Sequence, residues 1–162
     1  PSRAPWRAVV IAVLVAEVVI TLAFLPFKGE GEGHFAAGFA WWEMLIGVFL
    51  IASTLEEVVA RGLVQGLLRP LREAKLNLGL TALSVPVLTG ALYFSAMHVP
   101  LLVMGIETVQ GIQILVATFV LGCIAGKALE ISGSLVPAVA AHMLANAAGM
   151  GVGWVLEILE LV

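Results

Sequence analysis

The sequence predicts an all-α fold, a polytopic membrane bundle of about five transmembrane helices. Three observations carry this. Of the 162 residues, 61% are hydrophobic and only 12% charged, against about 25% charged in a soluble domain. The mean hydropathy is +1.10, and a water-soluble fold of about 150 residues still exposes nearly a third of its surface, too much to hide such a composition. The apolar runs also have lengths near the roughly 20 residues that a helix needs to cross about 30 Å of hydrocarbon.

The first helix, 8–25, follows Arg3 and Arg7. Its apolar run exceeds that of a signal peptide and lacks a small-residue cleavage site, so a retained membrane helix is expected. Pro26 ends it. The "KGEGEGH" stretch at 28–34 is a flexible connection, with His34 a solvated loop residue. The second helix, 40–68, stops before Pro70, and the third, 78–99, before Pro100. Pro86 lies inside the third and is expected to kink it. The fourth helix covers 108–126. The fifth covers 134–156, opened by Gly133 and Ser134, with Pro137 tolerated in its first turn. The chain, 1–162, reads as a single integral-membrane domain.

Charge and cysteine content narrow the function classes. A net charge of −3 and the lack of a basic tract give no reason to expect a nucleic-acid partner. Cys123 is the only cysteine, which excludes an internal disulfide and a cysteine-based zinc site. Arg3, Arg7, Arg69, Arg72, Lys75 and Lys127 fall on one side of the membrane if the spans alternate, and only Lys28 on the other. The positive-inside rule then puts the N-terminus in the cytoplasm and the C-terminus outside. Trp41, Trp42 and Trp154 would form an outer aromatic belt, with Trp6 at the inner face. Small residues recur four apart at Gly62 and Gly66, Gly122 and Gly126, Ala141 and Ala145, and Gly149 and Gly153. That spacing lets helices approach closely in lipid.

The informative residues are the polar ones within the spans, since charge at that depth is costly unless paired or kept for chemistry. In "STLEEVVARGLVQGLL", Glu57 and Arg61 are four apart and share a helix face, in the order that favours an ion pair. Glu56 is turned about 100° away, so one carboxylate reads as structural and the other as available. "FSAMH" places Phe94 and His98 one turn apart, and "HMLAN" places His142 and Asn146 on one face of the fifth helix. Glu17 reads as a packing or water-facing carboxylate and Glu43 as interfacial.

Such a set supports hydrolysis. A carboxylate in apolar surroundings titrates nearer neutrality and suits a general base for water. One imidazole can hold that water, while another and an amide donate to a developing oxyanion. A zinc centre built from two histidines and one carboxylate (Glu56, His98 and His142) is the rival assembly. Spacing does not separate them, because no His-Glu-x-x-His helix is present.

"EEVVAR", "FSAMH" and "HMLAN", in this order on three membrane helices, resemble the Glu-Glu-x-x-x-Arg, Phe-x-x-x-His and His-x-x-x-Asn motifs of the CAAX protease and bacteriocin-processing (Abi) family. "SGSLVPAVAAH" resembles the approach to that family's last motif, and the similarity spans about 55–149. The resemblance implies an intramembrane endopeptidase of glutamate type, without cofactor, although such proteins are often labelled metalloproteases. It implies Glu56 as general base, His98 as its partner on the water, and His142 and Asn146 at the oxyanion. Glu57 and Arg61 would brace the site, with Phe94 in support. Ala60 stands where the family carries a bulky aromatic, a change expected to widen the space beside the site.

The chain is shorter than typical eukaryotic members, so the extra helices of the prenyl-protein enzymes are not expected in it, and by helical rise the site is expected central to outer. Both argue against a prenylated CAAX substrate. The expectation is a prokaryotic inner-membrane protease that cuts membrane-anchored or exported proteins near a hydrophobic segment, as in anchor-tail sorting or bacteriocin maturation. The alternative is a non-catalytic membrane protein that binds a peptide or confers immunity, against which the intact Glu56, His98, His142 and Asn146 argue.

Overall fold

The structure, a computed structural model, describes residues 6–27, 40–79 and 81–159. Arg3, Lys28, His34 and the KGEGEGH connection lie outside them. α1 (Trp6–Phe24) runs into a 3-10 turn, Leu25–Phe27, at Pro26. α2 is one continuous helical rod of changing pitch. It starts at Trp41–Glu43, winds as a π-helix over Met44–Ala52, tightens to α over Ser53–Glu57 and loosens to π over Val58–Gln65. At its start the Glu43 carboxylate accepts the Ala40 N–H at 2.8 Å, so Glu43 serves the open N-terminal end of the helix.

The third span departs from expectation. Residues 75–84 form a hairpin in place of the helix expected from 78 onward. β1 (Lys75–Asn77) and β2 (Ala82–Ser84) pair antiparallel, with Leu76 opposite Leu83. The hydropathy of this stretch suits a helix, but its turn chemistry prevails. Asn77 Oδ1 accepts the Gly79 N–H at 3.0 Å, and Gly79 takes φ 81°, a conformation glycine adopts without strain. α3 (Val85–Ala96) therefore begins one residue before Pro86, which sits in the first turn and introduces no kink. Ser84 caps this helix, its Oγ accepting the Val87 N–H at 3.3 Å.

After a short turn of helix, α4 (Pro100–Val103), α5 spans Thr108–Ser132, beyond the expected end at Gly126. Lys127 is thus a helical residue and not part of a connection. Gly133, at φ 70°, closes α5 and does not open the next helix. α6 (Val136–Ile158) has Pro137 in its first turn, as expected. Among the described residues four segments are long and apolar enough to cross a membrane: Trp6–Phe27, Val85–Val103, Thr108–Ser132 and Val136–Leu156. α2, with Glu56, Glu57 and Arg61 at its centre, is the fifth long helical segment. The described residues form an all-α membrane bundle apart from one hairpin.

α5 is the central helix, packed against α3, α1 and α6, while α2 lies against α3 and α6. The core is built largely of small side chains: Ala60, Ala128, Ala141 and Ala145 meet Val9, Val13, Phe94 and Leu121. Large apolar residues such as Ile11, Val15, Leu50 and Leu55 point outward, the distribution expected when lipid and not water is the solvent. Gly122 and Gly126 are buried at the α3–α5 contact, whereas Gly62 and Gly66 are exposed. Trp6, Trp41, Trp42 and Trp154 are all exposed. At one end the hairpin is tied to α5: Lys127 Nζ donates to the Ala82 carbonyl at 2.8 Å, and the Ser84 hydroxyl donates to Glu130. Lys127 accordingly shares that end with Arg69, Arg72 and Lys75.

Candidate active site

The α-helical turn Ser53–Glu57 lies between the two π-helical stretches of α2, and π geometry is frequent where a side chain must be re-aimed for function. The two glutamates part here. Glu57 and Arg61 are fully buried and paired, Arg61 Nε donating to Glu57 Oε2 at 3.1 Å. The guanidinium lies over the Phe94 ring, 5.2 Å from its centroid, a contact that partly compensates a cation away from water. Neither Nη atom has a hydrogen-bond partner among the described residues. Glycine makes room for it: a Cβ at Gly90 would stand 3.2 Å from Nη1 and one at Gly122 3.3 Å from Nη2.

Glu56, with its side chain 27% exposed, faces a cavity of about 430 Å³ whose wall also holds His98, His142 and Asn146. Four of the residues singled out by sequence thus share one cavity, drawn from α2, α6 and the turn after α3. Glu57, Arg61 and Phe94 stand behind its wall. His142 is buried between the two glutamates, Nε2 3.8 Å from Glu56 Oε2 and Nδ1 3.3 Å from Glu57 Oε1. Phe94 holds both imidazoles edge to face, with centroids 5.2 Å from His98 and 5.1 Å from His142.

Local structure sets the His98 tautomer. The Phe94 carbonyl lies in the last turn of α3, where the regular intrahelical bonding runs out. His98 Nδ1 lies 2.9 Å from it. Since a carbonyl only accepts, Nδ1 carries the proton and Nε2 of the neutral ring offers a lone pair. Asn146 is held by Ser53: its Nδ2 donates to Ser53 Oγ at 3.0 Å, and that hydroxyl donates to the Val48 carbonyl at 3.1 Å. The second Nδ2 hydrogen remains for another acceptor.

Sequence reasoning missed Ser53, although it stands one turn before Glu56 on the same rod. Glu17, read from the sequence as a packing or water-facing carboxylate, lines the same cavity. Ala60 does not widen the cavity. It is fully buried in the core, beside α3, and does not line the cavity. Among the described residues, no three His, Cys, Asp or Glu side chains lie close enough to hold a metal ion.

The family described as Type II CAAX prenyl endopeptidase Rce1-like matches residues 5–148 of the chain. None of the curated proteins and none of the solved structures compared matches it.

Proposed function

As the chain belongs to the Rce1-like type II CAAX prenyl endopeptidase family of intramembrane proteases, we propose that Glu56 is the general base of a metal-free peptide hydrolysis in this cavity. The observation that carries the reading is the shared cavity of Glu56, His98, His142 and Asn146. A water between Glu56 and His98 donates one hydrogen to the carboxylate and the other to His98 Nε2. Glu56 takes the proton as the hydroxide adds to the scissile carbonyl carbon. The resulting oxyanion accepts hydrogen bonds from His142 and from the free N–H of Asn146. The proton on Glu56 then passes to the amide nitrogen, the C–N bond breaks, and an amine and a carboxylic acid leave, the acid's remaining proton passing to the amine or to solvent.

Glu57 and Arg61 fix the α2 turn and hold His142 from behind, while Phe94 sets the planes of both imidazoles. The mostly apolar wall suits an extended peptide beside a hydrophobic segment, so the substrates are membrane-anchored or exported proteins. The Lys and Arg pattern supports a cytoplasmic N-terminus in a prokaryotic inner membrane, with the site central to outer. Glu56→Gln keeps the side-chain shape and removes the base. Turnover by the purified variant should fall to background while expression, extraction and melting stay as in wild type. Undiminished proteolysis by Glu56→Gln would overturn the assignment.

A further inference from the structure

Glu17 belongs to none of the motifs, yet it lines the same cavity from α1. No described residue hydrogen-bonds or ion-pairs with its carboxylate. Thr21, one turn on and buried, lines the cavity beside it. The wall contains two carboxylates, Glu17 and Glu56, and neither lysine nor arginine. Arg61, at the centre of α2, is committed to Glu57 behind the wall. An unpaired carboxylate in such surroundings costs free energy that a cationic ligand group would offset.

Its place along α6 is also defined. A Cβ at Gly149 would stand 3.5 Å from Glu17 Oε2, so the carboxylate lies at the level of Gly149. That level is three residues beyond Asn146 and seven beyond His142 in sequence, about 4 Å and about 10 Å along the helix axis. An extended peptide advances about 3.3 Å per residue, so a side chain at this level belongs to a residue within about three of the bond at His142 and Asn146. We propose that Glu17 is a specificity-determining residue, pairing with a lysine or arginine of the substrate within about three residues of the scissile bond. This rests on the cavity being the proteolytic site.

The test uses full-length protein and a set of internally quenched peptides, each with a leucine-rich segment. Lysine or its neutral counterpart norleucine is placed at each of the three positions on either side of the bond. Binding is read by fluorescence in the non-cleaving Glu56→Gln background, and cleavage with Glu56 intact. Lysine should be favoured over norleucine at one position by about tenfold in affinity and in kcat/KM, the scale of a close charge pair. Glu17→Gln should bring that ratio to about one, and Glu17→Lys should transfer the preference to a peptide with glutamate there. Lysine peptides that bind no better than norleucine peptides, or a ratio unchanged in Glu17→Gln, would overturn the proposal. Cleavage that persists in Glu56→Gln would instead refute the proteolytic reading.

Discussion

Two adjacent glutamates, turned about 100° from each other on the helix, differ in their surroundings because their neighbours differ. Glu57 has Arg61, and the pair lies wholly out of solvent. Removing one member leaves the other buried and uncompensated, at a cost of about 3–5 kcal/mol. Arg61→Leu and Glu57→Gln should therefore lower the melting temperature in detergent together with activity, whereas Glu56→Gln should lower activity alone. A melting curve of Arg61→Leu that overlays wild type would show that the pair does not hold the fold. Asn146, the oxyanion donor of the proposed mechanism, is fastened through Ser53. Loss of one oxyanion donor costs about 10²–10³ in kcat. Asn146→Ala should show that loss with KM little changed, measured by initial rates on one cleavable peptide. These pairings were legible in part: helical spacing joins Glu57 to Arg61 and His142 to Asn146. The Ser53–Asn146 bond was not, since it links residues 93 apart in sequence.

The decisive element contact is that of α3 with α5, because α3 leads to Phe94 and His98 while α5 backs Arg61. Gly122 sits at this contact, and a Cβ there would lie 2.7 Å from the Ala91 Cα. The opposing atom is backbone, so the helices themselves must part. Gly122→Ala should destabilise by about 1–3 kcal/mol, the usual range for an overpacked core, and reduce activity by shifting Phe94 and His98. Gly62→Ala, whose Cβ would meet nothing nearer than 3.8 Å, should melt as wild type does. Both are read by thermal unfolding in the same detergent. The spacing of four flags Gly62 and Gly66 as strongly as Gly122 and Gly126. Periodicity marks a smooth helix face but does not say what covers it. The same limit explains the third span, where hydropathy indicated lipid and the Asn77–Gly79 turn made a hairpin.

For the whole molecule, the hairpin gathers Arg69, Arg72, Lys75 and Lys127 at one end, and the turn containing His98 lies at the other end of α3. If the charge-rich end is cytoplasmic, a single cysteine at Gly105 in a Cys123→Ser background should react with an impermeant thiol reagent in intact cells. One at Glu73 should react only after permeabilisation. The reverse pattern would turn the cavity towards the cytoplasm and favour a prenylated substrate. The metal-free reading is tested on the same protein: no stoichiometric zinc by elemental analysis, and undiminished activity after chelation and dialysis. One zinc per chain, lost with activity in His98→Ala and His142→Ala, would reverse it.

The amino-acid sequence by itself determined that the chain is a membrane bundle and which polar side chains enter it, because hydropathy and helical period are local properties. It also indicated that one arginine does not easily neutralise both Glu56 and Glu57, since adjacent residues point in different directions on a helix. Only the tertiary structure decided which faces meet. Packing of α1 against α6 brought Glu17 into the cavity, burial of Ala60 closed a space expected to open, and α6 carried Asn146 to Ser53. Each depends on the approach of segments far apart in the chain, and in lipid that approach is governed by the shape of small-residue surfaces, which hydropathy does not encode.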